Sequence, residues 1–204
     1  MDGGLFLEAF FTTAGTLFVA ELTDKDALFL LALATKTRAQ LVFAAGSVAF
    51  TITSAIIVTV GTVLISLVPV YAIKLAGGAI MIAYAVWEYY RFSNEKSRVD
   101  SREERLLGRG AQSAWAIFLP AVLTLIALDL AGDATEVLTV VLLARFQDLA
   151  GVFCGAVVGL VGAVAVETAL GNRLGRLLSP SRIKYFSIAI FVAIGTVVVV
   201  TTLL

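Results

Sequence analysis

Leu17-Phe18-Val19-Ala20-Glu21-Leu22-Thr23-Asp24-Lys25-Asp26-Ala27-Leu28-Phe29-Leu30-Leu31 places four charges, Glu21 to Asp26, inside an apolar run that extends from 5 to 34. A helix of about 20 apolar residues crosses a bilayer core. Each charge at its centre costs about 2.5–3.5 kcal/mol on insertion scales, so an ionisable residue there marks a functional site by default. Glu21 and Asp24 are three residues apart and share a helix face, with Lys25 close by. The alternative is a helix ending near 20, then a polar loop and a short core helix. The stretch 5–20 is short for a comfortable crossing, so one continuous spanning helix is expected.

Five further apolar runs follow, at 40–66, 70–90, 114–144, 150–172 and 184–204. The chain of 204 residues is 60% hydrophobic, and its mean hydropathy is +0.99. Soluble domains are roughly 45–50% apolar. Spanning helices satisfy their own backbone hydrogen bonds, as the lipid interior demands. The expected fold is therefore an all-α integral membrane protein with six transmembrane helices. Met1-Asp2-Gly3-Gly4 lacks a charged leader region, so the first run is expected to be retained. Net charge is zero and no basic patch carries interleaved aromatics, so no nucleic-acid partner is expected.

Lys36 and Arg38 follow the first run. Arg91, Lys96, Arg98, Arg102, Arg105 and Arg109 lie around the loop after the third, and Arg173, Arg176, Arg182 and Lys184 follow the fifth. Only Arg145 and Lys74 belong to the other face. The positive-inside rule then puts both termini outside and the charged 93–112 loop in the cytoplasm of a multi-pass protein of the cytoplasmic membrane.

The two halves look related. Val42-Phe43-Ala44-Ala45-Gly46 recurs as Val152-Phe153-Cys154-Gly155-Ala156, and Lys74 matches Lys184, both at an offset of 110. Ala79-Ile80 with Ala83 matches Ala189-Ile190 with Ala193 at that offset, and Pro69 and Pro180 precede the third and sixth runs. The expected organisation is a three-helix repeat at 1–92, a linker at 93–112 and a second repeat at 113–204. Three helices per half is odd, so the second repeat must be inverted. Inverted repeats are typical of secondary transporters, with the site at the repeat interface.

The second half carries its own acids, Asp129-Leu130-Ala131-Gly132-Asp133-Ala134-Thr135-Glu136. On a continuous helix Asp129, Asp133 and Glu136 form one stripe, at i, i+4 and i+7. Such a stripe must face the bundle interior or a hydrated cavity. Gly132 permits close packing or a local break, and Pro120 can kink the helix earlier.

Glu21, Asp24, Asp26, Asp129, Asp133 and Glu136 are set against one internal cation, Lys25. So many carboxylates cannot all stay ionised in a dry site. They must hold metal, hold protons, or exchange the two. Oxygen ligands suit hard cations such as Ca²⁺, Mn²⁺ and Mg²⁺. The chain has no His, and neither cluster has a Cys or Met beside it, which argues against Zn²⁺ or Cu⁺. Neither H-E-x-x-H nor G-x-S-x-G occurs, so an intramembrane enzyme is not the expectation. Glu167 beside Thr168 is a further ligand, a partner for Lys25 or Lys74, or a side chain reaching water at the cytoplasmic end. Thr51, Thr53 and Ser54 are candidate donors near the site. Gly151, Gly155 and Gly159 read as a packing ridge, Cys154 as a small packing residue, and Trp87, Tyr89 and Tyr90 as interface anchors.

Glu21-Leu22-Thr23-Asp24-Lys25-Asp26 resembles the E-x-G-D-[KR]-[ST] motif of the Gdt/MneA-type manganese and calcium exporters. Thr23 stands for the motif glycine and Asp26 for the Ser/Thr. In the second half Gly132, Asp133 and Thr135 keep the pattern, Ala134 replaces the basic residue, and Asp129 lies one residue before the glutamate position, Leu130. The resemblance implies two homologous three-helix halves and export of Mn²⁺ or Ca²⁺ against protons. It also implies motif acids from both halves as metal ligands, Glu21, Asp24, Asp129 and Asp133; the residues themselves add Glu136 as a ligand, with Thr23, Lys25, Asp26, Thr135 and Glu167 in support. The metal is cargo and no cofactor is expected. Lipid, the divalent cation and protons are the expected partners, with homo-oligomerisation left open. LysE-like or tellurium-resistance-type exporters of another cation or an amino acid are the alternative, because they too carry acids in membrane helices.

Overall fold

The computed structural model describes residues 3–22, 25–91, 114–130, 134–177 and 180–203. The 93–112 linker lies outside the described residues, which form helices and no strands. The helices are α1 (Gly3–Glu21), α2 (Lys25–Lys36), α3 (Ala39–Leu67), α4 (Val70–Arg91), α5 (Ala114–Asp129), α6 (Ala134–Phe146), α7 (Leu149–Leu177) and α8 (Pro180–Leu203). Four are long and apolar enough to cross a membrane, over 4–21, 39–67, 70–87 and 149–169, and α5 and α8 add shorter apolar stretches. Phe11, Val60, Leu67, Trp115, Leu123 and Val197 all point outward. A surface this apolar suits lipid.

The first and fourth runs are not the continuous helices that hydropathy suggests. The first is α1 and α2; the fourth is α5 and α6. Leu22 and Leu130 are already in turns, and their N–H groups close the last helical bonds, to Phe18 O at 3.2 Å and Ile126 O at 2.9 Å. The i, i+4, i+7 stripe is corrected with them, since Asp129 and Glu136 belong to different helices. The physical reason is that an uninterrupted helix spends every carbonyl on itself, whereas a helix end presents dipoles to a ligand.

The helix bounds repeat at an offset of 110: α3 with α7, the ends of α2 and α6, and the starts of α4 and α8. Three residues, 22–24, separate α1 from α2, and four, 130–133, separate α5 from α6. This accounts for the displaced acid. Glu21 and Asp129 both end a helix, and the extra residue falls after Asp129.

Packing repeats in the same way. α1 packs on α7 as α5 packs on α3; α2 packs on α7 as α6 packs on α3; α4 meets α8 and α3 meets α7. Direction can be read from the closest approaches. Along α7, Gly155, Gly159 and Gly162 meet Phe10, Ala14 and Phe18 in that order, so α1 and α7 run parallel. Gly78 meets Val199 while Gly195 meets Ile82, so α4 and α8 run antiparallel. Lipid tails are as apolar as leucine, so close van der Waals packing has to hold such helices together. A Cβ on Gly155 would lie 2.6 Å from Phe10 O, and one on Gly159 would lie 2.5 Å from Ala14 O. The glycine ridge is thus a packing surface, and its partner is α1.

Polar groups inside these helices are mostly satisfied locally. Thr51, Thr62, Thr139 and Thr168 donate to the carbonyl four residues earlier at 2.7–2.8 Å. Between α6 and α7 the chain turns through Gln147, which has φ 53°. Asp148 Oδ1 then accepts the Gly151 N–H at 3.0 Å, capping α7. Asp148→Ala should cost about 1 kcal/mol, read as a lower unfolding temperature in detergent.

Candidate cation site

Glu21 ends α1 and is fully buried, at 0% exposure; Asp129 ends α5 at 4%. Thr135 is buried at the start of α6, and Glu136 is half-buried in its first turn. Glu167 is buried on α7 at 2% exposure, which removes the reading that it reaches water. Lys25 and Asp26 open α2, but their side chains lie outside what is described, as do residues Thr23, Asp24 and Asp133 altogether.

Glu21 and Asp129 share one electrostatic situation. A helix C-terminus carries roughly half a negative charge from its carbonyl groups, and anions there are disfavoured. A buried carboxylate in the same place adds to that field. A bound cation or a proton relieves it. Glu136 occupies the opposite situation, since the first turn of α6 lies at a positive dipole end that suits an acid.

The two broken helices touch across the halves. α6 packs against α1, and α2 against α5. The two broken helices therefore reach into one another's half. Among the described residues, no group of three His, Cys, Asp or Glu side chains is close enough to hold a metal; that set excludes Asp24 and Asp133. Oxygen is the donor this interior offers, because Cys154 is exposed on α7.

Two buried hydroxyls were not singled out from sequence. Thr139 lies one turn beyond Thr135, a spacing that could have found it, and it donates to Thr135 O. Thr13 is 0% exposed beside Gly155, with no hydrogen-bond partner for its hydroxyl among the described residues. Nothing in its sequence context signals this. Ser54 and Thr53 are buried on α3; Thr53 donates to Phe50 O at 3.3 Å, and Ser54 Oγ has no such partner among the described residues.

One family model, the divalent cation/proton antiporter GDT1, matches the chain twice, over residues 9–96 and 116–203. The chain belongs to the GDT1 family. Each GDT1 segment contains one broken helix, with Glu21 at the break of the first and Asp129 at the break of the second. Membership makes the chain a membrane antiporter of divalent cations and protons, a transport activity rather than a catalytic one. It gives no support to the amino-acid exporter reading. No curated protein and no solved structure matches the chain.

Proposed function

We propose that this GDT1 protein exports Mn²⁺ or Ca²⁺ in exchange for protons through one carboxylate site shared by its two halves. The observation that carries the reading is the placement of Glu21 and Asp129. Both are buried, both end a helix, and they occupy corresponding places in the two matched segments. Asp24 and Asp133, at the following motif positions, complete a four-carboxylate set, with Glu136 and the Thr135 hydroxyl supporting it. Such a set suits a hard cation. Carboxylates that release protons as the cation binds, and take them up as it leaves, couple the two fluxes without a separate proton path.

The six crossings of this reading are α1 with α2, α3, α4, α5 with α6, α7, and α8. Parallel α1 and α7, and antiparallel α4 and α8, are the directions that an inverted repeat requires. The lysine and arginine distribution favours termini outside and the 93–112 loop in the cytoplasm of the cytoplasmic membrane. Rocking of one half against the other would then expose the site to each side in turn.

The test is proton flux in proteoliposomes carrying a pH-sensitive dye. Addition of Mn²⁺ or Ca²⁺ on one side should drive protons to the other in proportion to protein content. Flux no greater than in empty liposomes with Mn²⁺, Ca²⁺ and Mg²⁺ alike would overturn the proposal.

A further inference from the structure

We infer that Glu167, which lies outside both acidic motifs, is a ligand of the transported cation, contributed by α7 beside the break between α1 and α2. The inference rests on the site proposed above and extends it to a third element. Glu167 lies on the stripe Ala156, Leu160, Ala163, Val164 and Glu167, all of it buried. Val164 on this stripe marks where it faces, since Val164 and Leu30 of α2 are both side chains that a Cβ on Gly46 of α3 would meet. Glu167, one turn further on, lies on the same buried face of α7. The level follows from the parallel register of α1 on α7. Gly155 meets Phe10, Gly159 meets Ala14 and Gly162 meets Phe18. One further turn brings α7 to Glu167 and α1 to its last residue, Glu21.

Glu21 and Glu167 are among the largest fully buried side chains of the described residues. Neither carboxyl oxygen of Glu167 has a hydrogen-bond partner there. The neighbouring Thr168 hydroxyl does not serve it, because it donates to Val164 O at 2.7 Å. A buried carboxylate without a donor is among the costliest groups an apolar bundle can hold. Glu21, also buried, stands at the same level at the negative end of α1, and a cation held there would satisfy the Glu167 carboxylate. The second half does not repeat the arrangement. The position matching Glu167 at the 110 offset is Ile57 on α3. The second half's α7 thus adds a buried acid beside the α1–α2 break, while the first half's α3 adds none beside the α5–α6 break, which gives two related halves one preferred resting place for the cargo.

The test is Mn²⁺ binding to the full chain purified in detergent, measured by titration calorimetry and by the metal-induced rise in unfolding temperature. Glu167→Gln should fold, unfold no earlier than wild type without metal, and bind Mn²⁺ at least 10-fold more weakly. Glu167→Asp should fall between the two. A purely structural Glu167 would shift the metal-free unfolding temperature and leave the Mn²⁺ affinity alone, which would overturn the inference. Failure of Glu167→Gln to fold would also overturn it, because the carboxylate would then be an ion-pair partner that the fold requires. Glu21→Gln separates the two proposals. If it weakens Mn²⁺ binding and Glu167→Gln does not, only the inference fails; if wild type binds no Mn²⁺, the shared site fails with it.

Discussion

Glu21→Gln is expected to lower cation-driven proton flux at least ~100-fold while leaving the protein folded. Even partners that only orient a metal ligand typically change affinity by about 10–100-fold when removed, and Glu21 is proposed as a ligand itself. A loss of that size corresponds to about 2.8 kcal/mol of cation binding. The accompanying stability change should have the opposite sign from that of most buried substitutions. Gln keeps the shape of Glu21 and removes a charge from a fully buried helix end. An anion is disfavoured at the negative end of a helix, and burial adds to its cost, so the metal-free unfolding temperature should hold or rise. Wild type with Mn²⁺ at 100 times its Kd should gain about 2.7 kcal/mol, and Glu21→Gln should gain almost none. Asp129→Asn should behave alike, because Asp129 ends α5 as Glu21 ends α1. Equal flux from wild type and either variant would remove these acids from the transport site. A large effect from one and none from the other would remove the shared site while leaving a site in one half.

The relation between the two acids shows what could be read without coordinates. The membrane class followed from apolar runs, the duplication from a constant offset of 110, and cation transport from acids inside membrane helices. The helix ends did not follow. Between Glu21 and Asp26 there is no Gly or Pro to mark a break, and both flanks are apolar, so hydropathy reads one helix. The break is a property of what helix ends offer a ligand, which periodicity does not record. Gly132 did signal a break in the second half. Even so, only the two helix termini explain why Asp129 stands one residue early. Glu167 was visible as a charge but ambiguous as to role, because burial is a matter of which helices cover α7. The glycine ridge on α7 was likewise legible as a packing surface, while its partner α1 and the parallel direction were not.

That ridge carries the second large effect, which is on assembly rather than chemistry. Gly159→Leu should lower the unfolding temperature in detergent sharply and reduce the yield of monodisperse protein, with a cost at or above the upper end of the ~1–3 kcal/mol typical of overpacking. The first side-chain carbon alone would sit 2.5 Å from Ala14 O and 3.1 Å from Ala14 Cα. Both are backbone atoms of a helix and cannot turn aside, so α1 must move off α7. Two comparisons separate this from any general intolerance of glycine replacement. At Gly162 a Cβ would meet only the Phe18 ring, at 3.4 Å, an ordinary contact, and Gly162→Ala should be near neutral. At Gly15 a Cβ would meet nothing within 4 Å, so Gly15→Ala should gain about 0.5–1 kcal/mol from helix propensity. The consequence of Gly159→Leu reaches the site as well, because α1 ends in Glu21 and its register on α7 sets where that carboxylate stands. Flux should therefore fall with stability in Gly159→Leu, whereas in Glu21→Gln flux falls and stability does not. Gly159→Leu that unfolds like wild type would mean that α1 and α7 do not make this contact, and the level assigned to Glu21 beside Glu167 would go with it.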